Sequence, residues 1–244
     1  MSSRLHSLVI DSLGRRIVSG ELAAGHTMHA EKIETELDVS RSVVREAVRV
    51  LQSLGLVESV KRVGVRVLPL TRWNLLDPSI IRWRLASDGK GTQFRSLTEL
   101  RSAVEPAAAE LAATHAPDDL SAELLSVAAQ LRTIGRSGDL DSFLALDIRF
   151  HSLVLAASGN ELFAQLDGMI GEILTGRTRS GLMPSHPHEE ALQLHVDVAD
   201  AIQGRRPAAA RQAMDDIMRR TIAEVEGVWA DEDRVYPGRS PAIS

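Results

Sequence analysis

Cysteine is absent from this chain, which excludes disulfides, thiolate metal sites and a cysteine nucleophile. Aromatic residues are scarce, at 3% of the 244 positions, so a core must be built from aliphatic side chains. No apolar run approaches the roughly 20 residues that a bilayer-crossing helix needs, and no membrane partner is expected. The opening "MSSRLHSLVIDSLGRR" lacks the apolar stretch of a secretory signal. These absences predict a soluble cytoplasmic protein. What is present is Ala, Leu and Val within an ordinary hydrophobic fraction of 44%. Ala and Leu favour helices, and the length suits two modest domains or one large one.

The net charge of -5 hides an asymmetry. Residues 1–70 hold ten Lys/Arg against eight Asp/Glu, a balance of +2, whereas 71–244 hold 18 against 25, a balance of -7. Between 39 and 68 six basic side chains face only Glu46 and Glu58. A small basic module on a larger acidic body is one reading; local fluctuation is the other.

In the N-terminal region Leu5, Leu8, Val9, Leu13 and Ile17 follow helical spacing. "SGELAAGHTM" (19–28) reads as a turn, and Ile33 and Leu37 mark a second short helix. Ser40 is placed to cap a third. On that third helix Val43, Ala47, Leu51 and Leu54 form one stripe, with Arg41 and Arg45 on the other side and Arg49 along the same flank. Hydrocarbon on one side packs the helix down. Guanidinium groups on the other are left for phosphate or guanine edges, unless the face is simply solvated. "LGLVESVKRVGVRVLP" predicts two short strands around 56–60 and 65–68, with Lys61, Arg62 and Gly64 in the turn. A helix-turn-helix with a basic hairpin behind it is a winged helix-turn-helix.

The string "VSRSVVREAVRVLQSLGLV" and its surroundings resemble the DNA-binding domain of GntR-family bacterial transcription regulators. The resemblance spans about the first 70 residues. It implies contacts to double-stranded operator DNA by Lys32, by Ser40, Arg41, Ser42 and Arg45 with Arg49 on the recognition helix, and by the wing at Lys61, Arg62 and Gly64.

Beyond residue 70 no strand-like alternation of any length occurs. The segment 71–90 is read as a linker carrying a helix that starts at Asp77-Pro78, and 233–244 as a flexible tail. Between them, 91–232 reads as an all-helical bundle of six or seven helices. Pro106 is expected to kink its first helix. The fold expected is therefore mainly α: a winged helix-turn-helix followed by an all-helical bundle.

Asp147 and His151 in "DIRFH" are four apart, hence on one helix face, and His195 sits among apolar residues. Taken singly, such residues are more often structural than ligating. The strings "ELRSAVEPAAAELAA", "DIRFHSLVLAASGNELF" and "LHVDVADAIQGRRPAAARQAM" are similar to the FCD effector domain of the FadR subfamily, which implies that 91–232 is a helical effector-binding and dimerisation domain. That resemblance implies a divalent metal (Zn, Mn or Ni) held by Asp147, His151 and His195, in a site lacking its fourth ligand because Ile217 stands where a histidine belongs. Asp216, His186 and His188 are the candidates to compensate. Within the subfamily the chain is similar to repressors of sugar-acid operons, which implies a small carboxylate effector and a homodimer. Arg101 is the leading partner for that carboxylate, and its alternative role is a pair with Glu105. Arg149 could supply the charge instead. Asn160 could touch the ligand or cap a helix. A metal-dependent hydrolase or lyase acting on sugar acids is the rival from another class. It would leave the basic N-terminal module unexplained.

Overall fold

The computed structural model describes residues 2–234 and 236, with side chains from residue 5 onward. Most of the tail expected over 233–244 lies outside the described residues. The chain divides into two compact units, one built on residues up to Lys90 and the other on Gly91–Glu232.

In the first unit α1 (Ser2–Val18), α2 (Ala30–Leu37) and α3 (Arg41–Ser53) surround one aliphatic core. Val9, Leu13 and Ile17 repeat every four residues and are buried. Leu5 continues their stripe but projects ahead of the core at 38% exposure, and Leu8 falls off the stripe at 49%. Both were expected inside. The α3 stripe of Val43, Ala47, Leu51 and Leu54 is buried as its spacing requires, and Val44 and Val48 widen it.

Behind α3 come β2 (Val57–Val60) and β3 (Gly64–Val67), an antiparallel hairpin. A third strand, β1 (Thr27–Met28), pairs with β3 and makes the sheet order β1-β3-β2. This stretch reads as turn in the sequence, because two residues are too few to show alternation. Gly64 is obligatory here: its φ is 114°, and a Cβ would lie 2.4 Å from the Met28 carbonyl oxygen. The helix α4 (Pro78–Leu85) starts as predicted, with the Asp77 carboxylate accepting from Ser79 N at 2.8 Å. Its Ile80 and Trp83 complete the first core, and Trp83 Nε1 donates to Asp11 at 2.9 Å.

The second unit is all-helical among the described residues: α5 (Lys90–His115), α6 (Asp118–Ser137), α7 (Leu140–Ala157), α8 (Glu161–Ala164), α9 (Asp167–Arg179), α10 (Glu189–Gln203) and α11 (Pro207–Val225). α5 begins before Phe94 and runs on through Pro106. α6 packs on α7 and α10, α10 on α11, and α7 on α9. Ala108, Ala109, Ala112 and Ala113 give α5 a side-chain-poor face that is fully buried. After α11 the chain returns to the first turn of α5. There the Glu232 carboxylate accepts from Thr92 N at 2.5 Å and Thr92 Oγ1 at 2.7 Å, supplying a cap that α5 lacks locally.

Candidate functional sites: a nucleic-acid interface and a buried polar centre

The outer face of α3 carries the arginine row. Arg41, Arg45 and Arg49 side chains are 78%, 66% and 64% exposed. Their carboxylate neighbours are loose or local: Glu31 at 3.8 Å from Arg41, and Glu46 at 3.5 Å from Arg45 and 2.9 Å from Arg49. Exposed pairs of this kind contribute about 0–1 kcal/mol, so the guanidinium groups are available to a polyanion. Ser40 stands at the N-cap position, but its hydroxyl pairs with that of Ser42 at 2.9 Å rather than with the helix backbone. Two hydroxyls are thereby held at the helix N-terminus, where free N–H groups also point outward. Lys32 on α2 and Lys61 and Arg62 at the hairpin tip are exposed. Arg62 adopts a left-handed conformation (φ 65°) that turns the hairpin.

The second unit gathers the predicted metal residues. Asp147 and His151 come from α7 and His195 from α10. All three are buried, and their ligand atoms lie within 4.8 Å of one another. The Nε2 atoms of His151 and His195 are each 3.4 Å from Asp147 Oδ1. His195 Nδ1 lies 2.8 Å from the Ala191 carbonyl oxygen, which can only accept, so Nδ1 carries a proton and Nε2 is the nitrogen left to ligate. Its Nε2 is then a buried lone pair with no hydrogen-bond partner. Buried acceptors converging on one point call for a cation between them. Among the described residues no fourth ligand joins the group. Ile217 is buried beside it, His188 lines the same cavity without entering the cluster, and Asp216 is turned outward to Arg219. His186 lies against Gly138.

Further charged side chains surround the cluster. His151 Nδ1 is 2.6 Å from Glu105 Oε2, and Glu105 Oε1 is 2.5 Å from Arg101 Nε. Burial works to raise the Glu105 pKa, but Arg101 and His151 outweigh it and hold the carboxyl at about 2. Burial likewise opposes protonation of His151, yet the Glu105 carboxylate carries its pKa above the ordinary value. On the other side of the cavity Arg177 donates to Glu224 at 2.9 Å and Arg220 to Glu190 at 3.0 Å. Arg101 Nη1, Arg177 Nε and Arg220 Nε are buried with no partner.

A cavity of about 50 Å³ opens beside the cluster between α7, α9, α10, α11 and the 181–188 loop. Arg177 and Arg220 line it, and neither was singled out in the sequence. Arg101 is fully buried but is engaged with Glu105 rather than lining the cavity. Two candidates lie elsewhere. Arg149 points outward from α7 to Glu123 at 2.5 Å, because α7 is apolar nearly all round and packs its other faces. Asn160 accepts from Leu162 N and Phe163 N, the capping role of the two open to it.

The model of "Bacterial regulatory proteins, gntR family" matches residues 5–67, and that of the FCD domain matches 96–220. The galactonate operon transcriptional repressor of Escherichia coli is 32% identical over 84% of this chain and 90% of its own length. This chain belongs to the GntR family of regulators, with an FCD domain. It is a DNA-binding transcription regulator and not an enzyme. The "Probable D-xylose utilization operon transcriptional repressor" of Paenarthrobacter nicotinovorans is 27% identical over 85% of this regulator and 83% of its own length. A solved structure of E. coli McbR/YncC shares the fold, with a TM-score of 0.54 at 18% identity over 92% of this chain and 98% of that one. Among the described residues no helix is long and apolar enough to cross a membrane.

Proposed function

We propose that this regulator is a cytoplasmic homodimeric repressor of a sugar-acid catabolic operon, released from its operator by a small carboxylate effector. The observation that carries the DNA half is the arginine row on α3, exposed on a helix whose opposite face is buried. In this reading α3 enters a major groove. Arg41 and Arg45 contact bases there, while Ser40, Ser42, Arg49 and Lys32 hold phosphates, and Lys61, Arg62 and Gly64 carry the wing to the backbone. Two modules related by a two-fold axis would read two half-sites.

The effector half rests on the buried polar centre. Asp147, His151 and His195 suit a divalent ion such as zinc, manganese or nickel, and among the described residues they are the three ligands that converge. Bound there, the ion would supply a Lewis-acidic point with open coordination positions. Arg101, Arg177 and Arg220 stand against the four carboxylates of Glu105, Asp147, Glu190 and Glu224, so a divalent ion still leaves the centre positive and receptive to a carboxylate. Arg177 and Arg220 have unpaired N–H groups beside the cavity to receive it. Arg101 contributes charge from behind. Arg149 and Asn160, engaged elsewhere, have no part in this reading.

A cavity of about 50 Å³ holds one or two waters, not a hexonate. Effector binding therefore has to part the wall. The irregular wall is the 181–188 loop, with Met183, Pro184 and Pro187 against the cavity. Coupling to DNA follows if the parted and closed forms differ in operator affinity; about 3 kcal/mol between them would be a strong switch.

The test is fluorescence anisotropy on DNA upstream of the regulator's own operon, titrated with galactonate and related sugar acids in the presence of metal. Release by one sugar acid and not by neutral sugars is expected. Operator binding indifferent to every sugar acid would refute the effector assignment.

A further inference from the structure

We propose that Glu105 is the positioning residue of the buried centre: its carboxylate keeps the His151 proton on Nδ1 and so leaves the Nε2 lone pair to the point shared with Asp147 and His195. The proposal rests on reading those three residues as a metal centre.

His151 lies between two carboxylates, and both of its nitrogens face one. Nδ1 is 2.6 Å from Glu105, whereas Nε2 is 3.4 Å from Asp147. A histidine that ligates through Nε2 must leave that nitrogen deprotonated, so the ligating ring has one proton to place. The N–H at Nδ1 is not aimed straight at Oε2, so the contact is not a well-aligned hydrogen bond. Length decides nonetheless, because two lone pairs cannot face each other at 2.6 Å in a dry interior without severe repulsion. The proton therefore belongs to the short contact, and the long contact is left to a lone pair. A carboxylate behind a ligating histidine sets its tautomer and raises its basicity.

Glu105 is in turn fixed from its own helix. Arg101 precedes it by one turn of α5 and holds it through Nε at 2.5 Å and Nη2 at 3.4 Å. All three side chains are 1–2% exposed, so water cannot substitute for any member. The chain Arg101–Glu105–His151 thus runs from α5 to α7 and ends on the atom that faces the cluster. It gives Arg101 a task distinct from contact with a ligand, in keeping with its absence from the cavity wall.

Removing Glu105 alone strands a buried guanidinium and threatens the fold. The informative variant is the paired replacement Arg101→Met with Glu105→Met, which deletes both charges at similar volume. In the full-length, chelator-stripped protein, at a pH high enough that the His151 ring is neutral, nitrogen-15 NMR of the histidine rings reads the tautomer directly. We expect His151 as the Nδ1–H form in the native protein and a mixture or the Nε2–H form in the double variant. Cobalt titration should show affinity about 10–100-fold weaker in the double variant, with an altered visible spectrum, while its melting temperature stays near native. Glu105→Gln, which keeps an accepting oxygen, should retain the Nδ1–H form. A double variant that folds and keeps native tautomer, affinity and spectrum overturns the proposal. Native protein that binds no cobalt overturns the metal centre and this proposal with it. A shifted tautomer without any loss of cobalt affinity overturns the positioning role alone.

Discussion

Replacing His195 with glutamine should remove metal-dependent stabilisation of the second unit. His195 presents Nε2 to the cluster without a hydrogen-bond partner, and it supplies one of the three ligand atoms found among the described residues. A ligand that binds only the folded state at 100 times its Kd stabilises it by about 2.7 kcal/mol. For a unit of this size each kcal/mol moves the melting temperature by roughly 3 °C, so native protein should gain about 8 °C. Losing one ligand of three weakens binding on the order of a hundredfold, by analogy with the 10–100-fold cost of losing a supporting residue. The same metal concentration then equals the new Kd, leaving about 0.4 kcal/mol and a shift of about 1 °C. Without metal the variant loses mainly the edge contact of the ring with Phe150, whose centroids lie 5.0 Å apart, a cost of about 1 kcal/mol. Calorimetry of chelator-stripped protein against zinc and manganese measures both quantities. A native protein whose melting ignores metal, or a variant that keeps the full shift, would refute the ligand assignment.

Arg177→Met and Arg220→Met, each removing a guanidinium group that lines the cavity, should abolish stabilisation by sugar acids in thermal-shift assays while Arg149→Ala leaves it intact. Glu232→Ala uncaps α5 and should cost about 1–2 kcal/mol in urea unfolding, since a carboxylate at two donors of a helix N-terminus is lost. Glu105 bears on acid stability. Its pKa falls from an ordinary 4.5 to about 2, so its ionisation stabilises the fold fully above pH 4.5 and loses that effect as pH falls towards 2. The shift corresponds to about 3 kcal/mol, and unfolding titrations should show this acid dependence in native protein and not in the Arg101→Met, Glu105→Met variant. Gly64→Ala should destabilise the first unit and weaken DNA binding together, because its methyl would collide with the Met28 carbonyl and part β1 from β3.

Much of the first unit was legible because its signals are local. The α3 stripe repeats at helical spacing, and the hairpin announces itself by alternation on either side of Lys61–Gly64. β1 was not legible, since two residues become a strand only when β3 lies beside them. Leu5 shows the limit of periodicity: it continues a buried stripe, yet nothing in the chain says where the core stops. In the second unit Asp147 and His151 share a face by spacing alone, and His195 joined them only through family resemblance. Arg101 and Arg149 are each an arginine within a long helix, and nothing local in the sequence tells which one is buried. Which is buried depends on the faces that other helices cover, and α7 is too uniformly apolar for its period to show one. Arg177 and Arg220 carried no signal at all, because their nearness to the cluster is set by the crossing of α9 and α11 with α7.

The most direct test of the outward-facing arginine row is equilibrium binding to DNA upstream of the regulator's own operon, at several salt concentrations, for native protein and Arg45→Ala. Native affinity should fall steeply with salt as counterions compete for phosphates. Arg45→Ala should bind about 5–150-fold more weakly, matching the 1–3 kcal/mol of one base contact, with its melting temperature unchanged because Arg45 is exposed and only loosely paired. Affinity that is indifferent to salt and to the loss of Arg45 would contradict the placement of α3 on DNA.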